Sequence, residues 1–265
     1  MSAPIAPVSP ALARSARAWF VAALASQWIF AVYIAWVLAW PLLLGDGEAV
    51  NRTSLITGHV AGDTLGNASL LGHVLAAAVL NAVGLLQLVP WLRRRYPGWH
   101  RGAGRVFMAL ALVGVASGLY MTWLRGSRLS DISAIAISLN GVLIVVAVVM
   151  AWRLARQRRF DGHRRWAIRA FLLVSGVWML RLGLMGWILV NQGPRGNTAQ
   201  LDGPFDVAWV FGCYLVPLAV AELYFRAERA GRGAQRAVAL LLSLCALLTA
   251  LGTGAALMFM WLPHF

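Results

Sequence analysis

His163-Arg164-Arg165-Trp166-Ala167-Ile168-Arg169 leads without a break into Ala170-Phe-Leu-Leu-Val-Ser-Gly-Val-Trp-Met-Leu-Arg181-Leu-Gly-Leu-Met-Gly-Trp-Ile-Leu-Val190. The first part is basic and belongs in water or among lipid head groups. The second is apolar for about the 20 residues that a helix needs to cross roughly 30 Å of hydrocarbon. Arg181 lies about 21 Å beyond Ala167 at 1.5 Å per residue, inside the apolar part. A basic loop, a span and a charge within the span describe an integral membrane helix.

The composition extends this reading to the whole chain. Of 265 residues, 60% are hydrophobic and 12% charged, with a mean hydropathy of +0.72. A soluble domain would carry about 25% charged residues. The net charge of +14 does not mark a nucleic-acid binder, because the basic residues sit at the ends of apolar runs and form no continuous patch. All 23 basic residues are arginine. Without lysine there is no retinal Schiff base, and the bias is that of a GC-rich bacterial genome. Cys213 and Cys245 lie within apolar runs and read as small core residues, with neither metal spacing nor a disulfide framework.

Working outward from the fifth span, the expected fold is all-α, a bundle of about seven transmembrane helices in one domain over 18–265. Residues 1–17, rich in Pro, Ala and Ser, read as a disordered cytoplasmic tail. The spans are expected near 18–44, 69–92, 105–124, 134–155, 167–190, 207–225 and 238–262, each unbroken. With the N-terminus inside, 18 arginines fall on cytoplasmic segments and four (Arg52, Arg125, Arg128, Arg195) on outer loops. That bias places the N-terminus in the cytoplasm, the C-terminus outside, and the protein in a bacterial plasma (inner) membrane. Asn51-Arg-Thr53 and Asn67-Ala-Ser69 in the first outer loop match the glycosylation sequon, which has no meaning in a bacterial host.

Two groups of residues carry candidate chemistry. In the second span, Asn81, Gly84 and Gln87 lie about 80°, 20° and −40° around the helix from His73, forming one polar stripe. Depth arithmetic sets His73, Tyr120, Asn140, Arg181 and Tyr214 at one level, roughly 6–11 Å below the outer surface. A lipid-facing arginine there costs about 2.5–3.5 kcal/mol, so Arg181 is expected to face inward. An outer-half pocket results, with an anionic ligand as the expected partner and a hydrogen-bonded helix-register network as the alternative. At the cytoplasmic ends, Trp99-His100-Arg101-Gly-Ala-Gly104-Arg105 rhymes with the opening stretch. His100, Arg101, Arg105, His163, Arg165, Trp166 and Arg169 form a candidate anion or haem site, where positive-inside anchoring is the competing explanation. Glu222, four residues before Arg226, reads as a surface ion pair with it.

His73 through Gln87, His-Arg-x-x-Gly-Arg at 100–105, His-Arg-x-Trp-x-x-Arg at 163–169 and Leu180-Arg181 resemble a bacterial membrane family catalogued as domain of unknown function 2306. The resemblance covers about residues 69–190, leaving out the first span and the last two. Phe107 stands where the family favours tyrosine and Ala167 where it favours methionine, which removes any phenol role at position 107. The family brings no assigned activity, so the resemblance implies the fold and the candidate residues alone.

The functional expectation is membrane-embedded redox chemistry on a b-type haem or a quinone. His100 and His163 would be paired axial ligands, and His73 a third candidate, with His59 or His264 as its partner. The alternative is a transporter or an accessory protein that binds anionic phospholipid or a small molecule without catalysis. Against transport stand the absence of a visible inverted repeat or broken helix and the scarcity of intramembrane carboxylates. No Ser/His/Asp set, H-E-x-x-H or Gly-rich phosphate loop supports hydrolysis.

Overall fold

The computed structural model describes residues 8–53 and 57–265. Among these every regular element is helical. Helices α1 (Pro10–Leu43), α3 (Thr64–Leu88), α5 (Pro97–Leu124), α6 (Asp131–Arg156), α9 (Pro204–Ala227) and α10 (Arg232–His264) are long and apolar enough to cross a bilayer. A pair, α7 (Phe160–Val174) and α8 (Gly176–Asn191), bends by 53° at Ser175 and makes a seventh span when taken together. Two short helices, α2 (Gly47–Thr53) and α4 (Pro90–Arg95), lie in the connections. The all-helical, multi-pass architecture is the one expected.

Local chemistry sets the boundaries. Ser9 caps α1 by accepting the Leu12 amide at 3.3 Å, and its own amide donates to Gln235 Oε1 at 2.6 Å. Leu12 is fully buried beside Ala227, Ala239 and Leu242. Residues 10–17 are therefore the first two turns of α1, where a disordered tail was expected. Residues 1–7 of that expected tail lie outside the described residues. Asp63 caps α3 through the Gly66 amide, and Ser130 with Ser133 forms a capping box on α6. Prolines 90, 97 and 204 occupy the first turns of their helices, where no intrahelical N–H is needed.

Around the bundle, α1 packs on α3 and α10, α3 on α5, α5 on α6, and α6 on α7. The bent span joins the two sides: α7 lies against α6 and α9, whereas α8 lies against α10 and α9. This break corrects the expectation of an unbroken fifth helix. It has an identifiable cause in side chains from neighbouring helices that take over backbone partners. Asn140 Nδ2 on α6 donates to the Leu173 carbonyl at 3.1 Å. Gln27 Nε2 on α1 donates to Ser175 Oγ at 2.8 Å, and that hydroxyl donates to the Phe171 carbonyl at 2.8 Å. On the far side of the break, Trp178 Nε1 donates to Ser26 Oγ at 2.9 Å.

Candidate functional site

A cavity of about 1650 Å³ opens among the arginine-bearing helix ends and continues between α8, α9 and α10. Its head region draws on three helix ends. Gln87 stands in the last turn of α3, which tightens to a 3₁₀ turn over Leu85–Leu88 before Val89 adopts the extended backbone that Pro90 requires. His100 stands in the first turn of α5. His163 stands in the first turn of α7, after a reversal in which Arg158 takes a positive φ of 57°. All three line the cavity.

His163 Nδ1 lies 2.9 Å from the carbonyl of Ala151 on α6. A carbonyl only accepts, so Nδ1 carries the hydrogen and Nε2 of the neutral ring keeps its lone pair. This is the arrangement by which a backbone carbonyl orients a ligating histidine. His100 lies within electrostatic range of His163 and lines the same cavity. Its Nδ1 is buried without a hydrogen-bond partner, as are both amide atoms of Gln87. Gln87 Oε1 packs against Gly104, where an added Cβ would stand 3.4 Å from it. Buried polar atoms without partners are rare in native proteins and point to a missing one.

Arginines surround this neutral wall. Arg17, Arg93, Arg101, Arg105 and Arg156 line the cavity and are exposed. Arg164 also lines it, but its guanidinium is held bidentately by Glu228, the C-cap residue of α9, at 3.0 and 2.7 Å. Arg165, Trp166 and Arg169 turn elsewhere. Arg169 pairs with Glu222 at 2.7 Å and lies 4.6 Å over Trp166, while Arg165 and Arg169 both sit 5.4 Å over Phe225. Glu222 thus pairs across helices with Arg169, where an ion pair with Arg226 was expected.

The five outer-half candidates line no part of this cavity. His73 Nδ1 lies 3.0 Å from Ser117 Oγ on α5. That hydroxyl already donates to Val113, which leaves Nδ1–H as the donor. Tyr214 donates to the Ala136 carbonyl at 3.2 Å. Tyr214 and Asn140 both pack around Gly176, and Tyr214 belongs to a core cluster that contains no α1 residue. Tyr120, in a π turn at the end of α5, packs against the other core cluster with Phe30 and Tyr33. Arg181 reaches its own Val177 carbonyl at 3.2 Å and lies 5.3 Å over the Phe30 ring, with Tyr33 within electrostatic range. A cation over an aromatic face needs no carboxylate. Asp206, the nearest acid by depth, instead accepts from Asn197 Nδ2, Thr198 N and Gly203 N. The five side chains therefore fall in separate groups, where one shared pocket was expected. His59 and His264 do not meet His73.

Sequence reading missed the Arg164–Glu228 clamp, because pairing across helices depends on rotation about the helix axis. It also missed the cavity wall on α10, where Cys245 and Thr249 give no signal beyond being small residues in an apolar run.

A sequence profile described as a predicted membrane protein (DUF2306) matches residues 70–225. The match takes in α9, which the sequence resemblance left outside. No curated protein and no solved structure shows a significant match.

Proposed function

We propose that this chain, which belongs to the domain of unknown function 2306 family of predicted membrane proteins, is a membrane-embedded redox protein that holds a b-type haem or a quinone in the cavity at its arginine-bearing end. The observation that carries this reading is the head region, where His163 offers an oriented Nε2 while His100 Nδ1 and the Gln87 amide lie buried without partners. A haem iron carries one electron, and a quinone takes two electrons and two protons at its carbonyl oxygens. His163 and His100 are the candidate axial ligands for the first and hydrogen-bonding partners for the second. Arg17, Arg93, Arg101 and Arg105 would meet propionates at the rim.

The exposed arginines also favour a second reading, a site for anionic phospholipid without catalysis. The two readings part on the oxidised and dithionite-reduced visible spectra and organic extracts of purified wild type, His100→Ala and His163→Ala. The redox reading expects haem bands or extractable quinone in the wild type, and loss of either in both folded variants. A wild type that carries only phospholipid supports the second reading.

We further propose that the arginine-bearing end is cytoplasmic and that the host membrane is a bacterial inner membrane, on the strength of the charge asymmetry across the spans.

A further inference from the structure

We infer that the cavity is the binding site of a long-chain quinone, with the ring at Gln87, His100 and His163 and the polyisoprenoid tail along the crevice between α8, α9 and α10. This rests on the redox reading of the head region and narrows it from two cofactors to one.

The crevice is long. On α9 the lining residues run from Tyr224, near the arginine-bearing end, to Phe205 in the first turn at the opposite end. Nineteen positions at 1.5 Å per residue make roughly 28 Å, close to the full hydrocarbon thickness of about 30 Å. The volume of about 1650 Å³ exceeds the roughly 300–1,000 Å³ of ordinary small-molecule pockets. A haem is a disc with two short propionates, and it has no chain to occupy such a crevice. A quinone tail is long, linear and apolar.

Its wall is apolar. Val216 and Pro217 on α9 and Cys245, Leu248 and Thr249 on α10 line the crevice without a charge. Small residues set its back wall: Gly186 faces Gly252, whose Cα would stand 3.5 Å from an added Cβ, so α8 and α10 pack closely behind the crevice. The far end is floored by a stack of rings, Trp187 on Phe205 at 4.3 Å and Phe205 on Trp209 at 6.2 Å. Both indoles are tied down, Trp187 to the Arg195 carbonyl at 2.7 Å and Trp209 to the Leu180 carbonyl at 3.1 Å.

The head region disfavours a phosphate. A phospholipid phosphate demands cations at the depth of the head group, yet the cations here are exposed at the rim. The buried polar atoms that line the head region are the Gln87 carboxamide and His100 Nδ1, with the half-buried His163 imidazole in the same lining. Neutral hydrogen-bonding groups match the neutral carbonyls of a quinone, since burying an anion away from the cations would forfeit its pairing.

The test is binding of a polyprenyl benzoquinone and of the same ring without its tail, to the full chain in nanodiscs at matched lipid mole fraction. Wild type is expected to favour the tailed quinone by at least about tenfold. Cys245→Trp, which fills the crevice, is expected to abolish that preference and keep the tail-less affinity. In the wild type itself, the tailed quinone is expected to slow alkylation of Cys245 by an apolar maleimide, while the tail-less ring does not; this arm needs no variant to fold. Equal affinity for the two quinones, or unprotected Cys245 at saturation, overturns the inference. Bound haem with no quinone affinity overturns the inference and leaves the redox reading standing, whereas absence of both removes the two together.

Discussion

Asp63 shows what a single carboxylate does at the end of the bundle away from the arginine-rich helix ends. Its oxygens accept the Gly66 amide and Arg125 Nε at 2.8 and 2.7 Å. First the amide and then the guanidinium hold its pKa below the usual carboxylate value. A lowered folded pKa adds stability that is fully present above the unfolded value of about 3.9 and is lost as pH falls through the folded one. Thermal unfolding in detergent is therefore expected to show the melting temperature of wild type falling below about pH 4, with a flatter profile for Asp63→Asn. Parallel profiles would remove Asp63 from the acid response. Arg181 gives a second residue-scale outcome. An insertion cost of about 2.5–3.5 kcal/mol, offset by a cation–π contact worth about 2 kcal/mol, leaves about 0.5–1.5 kcal/mol against the charge. Arg181→Met keeps the stem over Phe30 and is expected to raise stability by about that amount without changing cofactor content. Loss of cofactor in this variant would put Arg181 back in the site. His100, His163 and Gln87 were legible as candidates from their polarity within or beside spans; that all three line one cavity was not. That Arg181 and His73 stand apart from them was not, because helical rise gives a residue its depth and leaves its rotation undetermined.

Element boundaries were legible wherever a cap or a proline marks them, as at Pro97, Ser130 and Pro204. The break at Ser175 was not, because its cause lies in Gln27 and Asn140, residues from the first and fourth spans that no local pattern connects with it. Replacing Asn140 by leucine leaves the Leu173 carbonyl buried without its partner, which costs about 1–3 kcal/mol. The expected outcome is a loss of that size in denaturant titration, together with straightening of α7 and α8 in spin-label distances across the bend. A stability equal to that of wild type would show that the break holds without Asn140. The same logic separates the two halves of the span: α7 carries His163 to α6, and α8 forms the crevice with α9 and α10.

For the molecule as a whole, the apolar runs and their arginine flanks made the number of spans legible. The cavity was not, because it forms from faces of helices distant in sequence. The proposed orientation has its own check. A C-terminal alkaline phosphatase fusion is expected to be active and a C-terminal green fluorescent protein fusion dark; the reverse pattern would invert the molecule. Cofactor content decides the claim that the cavity at the arginine-bearing end holds a redox cofactor. Wild-type protein, purified from membranes supplied with haem and quinone, is predicted to carry about one redox cofactor per chain, and folded His163→Ala far less. A wild type that carries neither, or a His163→Ala variant that retains the full amount, would contradict the claim.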